Sequence, residues 1–525
     1  ESLVIHFLHA YANPAHERRA RAIALAELPE ALVSISSEVL PIFREYERAM
    51  ATILNVYVMP AVSSYVARLE GRLRDSKVPG PLLLMKSSGG VTSAETVRRE
   101  PVQTALSGPA AGVMGAMFIG ERAGFKNLIS IDIGGTSADI CLIKGGEPGI
   151  TNEGRVGDWP LHVPMIDINT IGAGGGSIAR VTESGALTVG PRSAGAVPGP
   201  VCYGLGGSEP TVTDANLVLG RLEPRLLDGR LALDAQAAAD AIATRVGRPL
   251  GLDLAAASRG ILSIIDNNMV GAIRVVSVER GHDPRDFVLL PFGGAGPLHG
   301  ASLARLLGIK TILVPPAPGG LSALGLLVSS LKSEFARTAL QRPPNYDLDA
   351  MAKVFAELHE AAEDWLAGEG VPPRGQSIRW HASLRYVHQG FELTVPWDGS
   401  AVAAGSVAGT IAAFHRLHEQ LYTFAQEDTP VEIVTMRVIA TGHLPKPTLR
   451  ELARGGAVVD AIVGRQEVDV DEQRRLCPVY DRSKLGAGAT LRGPAIVRQL
   501  DSTTVLFPDQ IAEVDKYGSL IVRTA

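Results

Sequence analysis

The residues best equipped for chemistry sit in one short run, Ile131-Asp132-Ile133-Gly134-Gly135-Thr136-Ser137-Ala138-Asp139. Apolar residues bring a carboxylate to a strand end, two glycines let the backbone fold tightly, and two hydroxyls follow. Backbone N–H groups exposed in such a turn make a phosphate-sized anion concavity. The carboxylates of Asp132 and Asp139 repel phosphate, yet they suit Mg²⁺ held through water, which takes one or two carboxylates with water and phosphate oxygens. The plain alternative is a hairpin turn capped by Asp and Thr. A second run, Pro291 to Gly300 (PFGGAGPLHG), lies between a strand and a helix, with Pro297 where a first-turn proline is tolerated. Gly293, Gly294, Ala295 and Gly296 leave room there for a flat adenine, or for a phosphate at the helix N-terminus, whose dipole favours anions. Close strand-to-helix packing would ask for the same small residues. Gly174-Gly175-Gly176-Ser177 is a third candidate cradle, with bare N–H groups for phosphate or substrate oxygens. No G-x-x-x-x-G-K-[ST] loop occurs, which excludes P-loop chemistry.

Other candidates carry a blander reading beside the sharper one. His9 and His16 flank a proline turn and are candidate metal ligands, though hydrogen bonding that locks the turn explains them as well. Asp214 and Asn216 in TVTDAN either cap the next helix or reach a substrate cleft. Cys202 has no His partner adjoining it in sequence, so packing competes with a nucleophilic role. The spacing of Tyr46, Tyr57 and Tyr65 predicts core positions rather than a base-stacking platform.

The elements that must position these residues follow from periodicity. Residues 127–146 read as strand, tight glycine turn and strand. Residues 2–11 (SLVIHFLHAY) and 81–87 read as strands, and 44–73 as a long helix. Residues 106–123 form a small-residue helix able to pack very closely against a neighbour. The stretch 167–221 is rich in Gly, Pro and Ser, and loops of that length are usually functional. A helix over 254–280 precedes a strand at 287–292, the second glycine turn, a helix from Pro297 and a strand at 311–316. A linker at 342–349 leads to a helix at 349–368. Period-2 alternation in 383–395 and 431–442 then predicts antiparallel strands. The expected division is 1–125, a nucleotide-binding lobe of 126–335, and a C-terminal α+β or β-rich domain of 336–525.

A chain of 525 residues is too long for one core. Its 46% hydrophobic and 20% charged composition, with 57 glycines, is that of a soluble globular enzyme with many sharp turns. The net charge of −5, without a basic run, gives no support to nucleic-acid binding. Three scattered cysteines predict neither disulfides nor a structural zinc, and fit a cytoplasmic protein. The apolar stretch 320–331 is too short and too rich in Gly and Ser to span a bilayer, so no membrane partner is expected.

Two glycine loops at strand ends, with helices between them, resemble the actin/hexokinase/heat-shock-70 superfamily of nucleotide-binding domains. Further segments narrow the resemblance: HAYANPAHE (9–17), MKSSGG (85–90), DINTIGAGGGSIA (167–179), SAGAVPGPVCYGLGGSEPTVTDANLVLGRL (193–222) and RGPAIVRQLDSTTV (492–505). Together they resemble the hydantoinase A/5-oxoprolinase family, which includes acetone and acetophenone carboxylase subunits and caprolactamase. The resemblance implies a subunit that uses ATP and Mg²⁺ to phosphorylate a carbonyl oxygen of a cyclic amide or ketone, working with a hydantoinase B-type partner. It places Asp132 and Asp139 in the catalytic set and the three glycine runs around the nucleotide. It also implies an earlier phosphate hairpin ahead of the point where this chain, lacking an initiator Met, begins, so truncation is expected. Asn169 stands where many relatives carry His, and His388 where glycine is common. A stand-alone sugar or carboxylate kinase and a non-enzymatic ATP switch are the rival readings.

Overall fold

The apolar run Leu128–Ile133 is buried on both faces and forms the centre of a nine-stranded sheet. In this computed structural model, which describes residues 2–227 and 229–524, two units form. One comprises Glu1–Ala110, Ile150–Ile166 and Val328–Lys446; the other comprises Ala111–Gly149, Asp167–Leu327 and Pro447–Ala525. The expected single C-terminal domain from 336 is thus divided, its first part folding with the N-terminal segment and its last part with the glycine loops.

In the second unit, Leu128–Ile133 pairs antiparallel with Ala138–Lys144 and parallel with Val288–Phe292. Ile168–Ile171 extends one side and Thr311–Val314 the other. Leu520–Thr524 then pairs antiparallel with Thr311–Val314, covering a strand edge that would otherwise be open to association. Helix Leu254–Val276 starts at Asp253, whose carboxylate accepts from Ala256 N–H at 2.7 Å. Its buried Ile261, Ile265, Met269 and Ile273 recur every fourth residue, so one stripe enters the same core as Ile129, Ile131 and Ile133. Each such side chain contributes about 1.5–3 kcal/mol by leaving water.

The small-residue helix Ser107–Ala123 packs as closely as its composition predicts. A Cβ on Gly115 would stand 2.5 Å from Leu321 O, and one on Gly325 1.7 Å from Ala111 O. Residues 462–506 add a four-stranded sheet to this unit, built from Ile462–Val470, Gln473–Asp481, Ala495–Arg498 and Thr503–Leu506.

The first unit centres on a six-stranded sheet in which Val431–Gly442 lies between Leu331–Gln341 and Gln376–Tyr386, antiparallel to both. The alternation in 431–442 predicts this pairing, but its polar positions are not solvated. Glu432 and Arg437 are buried, Glu432 paired with Arg385 at 2.8 Å and Arg437 with Glu334. Helix Leu348–Gly368 covers the sheet with Met351, Phe355, Leu358, Ala362 and Leu366. The predicted strand 2–11 is shorter, Ser2–Ile5, and turns at His9, where φ is +59°. Tyr46, Tyr57 and Tyr65 on helix Glu45–Asp75 are exposed, not core: the spacing places them on one face, and that face points outward. Two helices, Glu45–Asp75 and Leu254–Arg280, have the length and hydropathy to cross a membrane, and the second is largely a core helix.

Candidate active site

The hairpin tip lies in the second unit. Asp132 and Asp139 are direct cross-strand partners, and Thr170 stands opposite Asp139 on the next strand. Opposed residues in a ladder project to the same face, so the three form one polar row. Thr170 Oγ1 donates to Asp139 Oδ1 at 2.5 Å. Burial first, and the Asp139 charge second, push the Asp132 carboxyl up to about 6. Burial also raises Asp139, against the Thr170 hydrogen bond. Two carboxylates side by side in a half-buried row favour a cation, and this donor set fits Mg²⁺ held through water.

The tip is closed by Gly134 N–H donating to Ser137 O at 3.1 Å. Gly135 and Thr136 are exposed, and among the described residues no protein acceptor pairs with their N–H groups. The third cradle behaves otherwise. Gly174 N–H donates to Ser177 Oγ (2.9 Å), Gly175 N–H to Gly134 O (3.0 Å), Gly176 N–H to Gly135 O (2.6 Å) and Ser177 N–H to Gly174 O (3.0 Å). All four donors expected to meet a ligand are spent inside the protein. A Cβ on Gly174 would stand 2.7 Å from Gly134 O and 2.8 Å from Thr136 N, so glycine is needed for two backbones to touch. This loop braces the hairpin tip, and its Gly175 shares the cavity lining with the tip.

The second glycine loop reaches the same place from the neighbouring strand, since Phe292 is the parallel partner of Asp132. Gly293 has φ +78°, and a Cβ there would fall 2.2 Å from Asp132 Oδ1. Its bareness makes room for that carboxylate. Ala295 N–H donates to Ile133 O at 3.0 Å, tying the loop to the hairpin. Gly296 opens helix Gly296–Leu307 with Pro297 in its first turn, as the sequence predicts. Gly294 differs, because a Cβ on it meets nothing nearer than Asp501 O at 3.8 Å. The open space beyond is a cavity of about 790 Å³ whose lining includes Gly134, Gly135, Gly294 and Ala295. The two distant runs therefore converge on one chamber.

Comparison with known proteins agrees with this geometry. The hydantoinase/oxoprolinase family model matches residues 48–335, and the hydantoinase/oxoprolinase C-terminal domain model matches 345–523. The chain belongs to the hydantoinase/oxoprolinase family. The caprolactamase subunit alpha of Pseudomonas jessenii is 35% identical over 97% of this chain and 74% of its own length. The acetophenone carboxylase gamma subunit of Aromatoleum aromaticum is 31% identical over 99% and 74%. The crystal structure of the ATP-dependent caprolactamase from Pseudomonas jessenii superposes with a TM-score of 0.93 at 34% identity, covering all of this chain and 77% of that one. The α/β, actin-like nucleotide-binding fold expected from sequence is the one found.

Within this family member several weaker candidates resolve into structural roles. Asp214 is fully buried, caps its helix with Thr211, and also accepts from Cys202 N–H at 2.8 Å. Burial beside Asp214 raises the Cys202 thiol, which makes it a poor nucleophile. Asn169 donates to Ala272 O at 3.0 Å, holding the core helix. His388 has φ +71°, a conformation glycine adopts freely. His9 lies against Tyr11 and His16 is exposed; among the described residues no group of three or more His, Cys, Asp or Glu gathers to hold a metal. The sequence reading missed a whole wall of the cavity, formed by residues such as Leu222, Arg225 and Leu231 on one stretch and by Asp481, Ser483 and Arg498 to Thr503 on another. The only signal was the segment RGPAIVRQLDSTTV itself, which carries no glycine loop or acid pair to mark it.

Proposed function

We propose that this chain is the ATP-dependent subunit of a cyclic-amide hydrolase, activating the substrate by phosphorylating its carbonyl oxygen. The observation that carries this reading is the convergence of the Asp132–Asp139 row and the open Gly294 face on one cavity. Gly135 and Thr136 offer N–H groups to phosphate oxygens, and Asp132 with Asp139 would hold Mg²⁺ through water. That ion supplies charge neutralisation between nucleotide phosphates when bound. A lactam carbonyl is a weak electrophile with a poor leaving group. Transfer of the γ-phosphoryl group to its oxygen forms an O–P bond as the β–γ bridge breaks and ADP departs. Water then adds to the carbon and the C–N bond breaks, the nitrogen taking a proton and leaving as the amine, so the ring opens to an acyl phosphate; a second water releases phosphate and leaves the carboxylate. Such transfer depends on positioning and charge more than on covalent chemistry by the protein.

The relatives' names as subunits of caprolactamase and acetophenone carboxylase support a partner, which we take to be a hydantoinase B-type subunit. The carboxylase likeness also favours a second reading, ATP-dependent carboxylation of a ketone. Three buried free cysteines suit a cytoplasmic protein. The test is phosphate release by the full-length protein with its partner and Mg·ATP, across hydantoins, 5-oxoproline, lactams and aromatic ketones with bicarbonate. One substrate class should stimulate turnover, and Asp132→Ala should lower it by about 10²–10³-fold. A phosphorylated product leaving the enzyme, or unchanged turnover in the variant, would overturn the reading.

A further inference from the structure

The helix that follows the second glycine loop docks on its strand through a smooth face. Gly296 and Gly300, one turn apart, both meet Pro291: a Cβ would stand 3.2 Å from Pro291 C at the first position and 2.9 Å from Pro291 Cγ at the second. Glycine against a proline ring lets the two elements approach closely, but it leaves no interlocking ridge to set where the loop end of the helix sits. A directional contact lies elsewhere on the same turn. His299, 1% exposed, brings its Nδ1 within 2.6 Å of Asp266 Oδ1 on the core helix Leu254–Val276, and Asp266 is itself 4% exposed. A carboxylate accepts and does not donate, so Nδ1 is the donor. The other ring nitrogen, Nε2, is buried with no hydrogen-bond partner among the described residues. The ring's polar attachment therefore runs through Asp266. A hydrogen bond to a charged group, made away from water, is among the stronger ones.

We propose that Asp266 and His299 are positioning residues for the nucleotide: their bond fixes the first turn of helix Gly296–Leu307, and with it the Gly294 face of the cavity. The inference rests on the nucleotide reading above and names what holds that site in place. The connection is short. His299 follows Leu298, which lines the cavity, and stands five residues after Gly294. Asp266 is an independent anchor, because its neighbours Ile265 and Met269 belong to the same buried core as the sheet strands. Neither member of the pair is among the residues lining the cavity, so the two act through the helix and not by touching a ligand.

The bond can be broken or kept at one position. An asparagine amide places its N–H near where Nδ1 lies, whereas a glutamine amide places it near Nε2. His299→Asn therefore keeps the donor to Asp266, and His299→Gln loses it. Calorimetry with Mg·ATP on the full-length protein, with urea melts alongside, separates lost affinity from lost stability. His299→Gln should weaken Mg·ATP by about tenfold, while His299→Asn stays within about threefold of wild type. Asp266→Asn keeps an acceptor oxygen without the charge and should fall between them; it carries the test if His299→Gln does not fold. The Asp266 charge also acts on the buried Arg221 guanidinium, so the sharper comparison is the one made at His299. Wild-type affinity in His299→Gln, equal losses in His299→Gln and His299→Asn, or wild-type affinity in Asp266→Asn would overturn the inference while leaving nucleotide binding intact. Failure of the wild type to bind Mg·ATP would instead overturn the reading on which it rests.

Discussion

The loops at 174–177 and 293–296 look alike in sequence, and both reach the cavity, but they use their glycines differently. Both are glycine-rich and both follow a strand. In the first, every N–H group is consumed by protein acceptors, and the missing side chains let the loop press on the backbone of the hairpin tip. In the second, Gly293 and Gly296 serve packing while Gly294 faces open cavity. Glycine content therefore does not mark a ligand site by itself. What separates the two is where an absent Cβ would point, into backbone or into space.

The largest effect should come from filling the brace. Gly174→Ala places a methyl group against Gly134 O and the Thr136 amide, atoms that cannot swing aside. Strain of this kind costs roughly 2–4 kcal/mol, so the denaturant midpoint should drop sharply. Gly294→Val should be the converse, keeping wild-type stability while weakening nucleotide binding by about 10–100-fold, because its methyl groups enter the cavity. Urea melts and nucleotide titrations on both variants decide the matter. The contrast collapses if Gly174→Ala folds as well as wild type, or if Gly294→Val loses stability and keeps its affinity.

Much of the scaffold was legible because it is locally encoded. The apolar run of the first strand, the Gly-Gly turn and Pro297 at a first helical turn define the hairpin and the second loop from sequence neighbours alone. The spending of the Gly175 and Gly176 N–H groups was not legible, since their acceptors, Gly134 O and Gly135 O, lie far away in sequence. Tyr46, Tyr57 and Tyr65 show the same limit, because spacing assigns them to one face without saying what covers it. The wall that includes Ser502 comes from the separate four-stranded sheet near the end of the chain, far in sequence from the glycine loops. The alternation of 431–442 gives the right pairing, yet its charged positions are buried in ion pairs rather than solvated.

The smallest effect concerns what the second loop makes room for. Gly293 lets Asp132 sit half-buried beside Asp139, and the folded carboxyl rises from 3.8 to about 6. Between those values the folded state holds a proton that the unfolded state has released. Stability therefore falls as pH rises through that window and stays lowered above it. Asp132→Asn removes the buried charge, so the nucleotide-free protein should become more stable by about 1–3 kcal/mol at neutral pH, with little change near pH 4. Thermal melts of wild type and variant across that range provide the measurement. A site that destabilises the empty protein and is relieved by a cation is arranged for binding, whereas identical pH slopes would make Asp132 an ordinary strand-end carboxylate and reduce the second loop to packing.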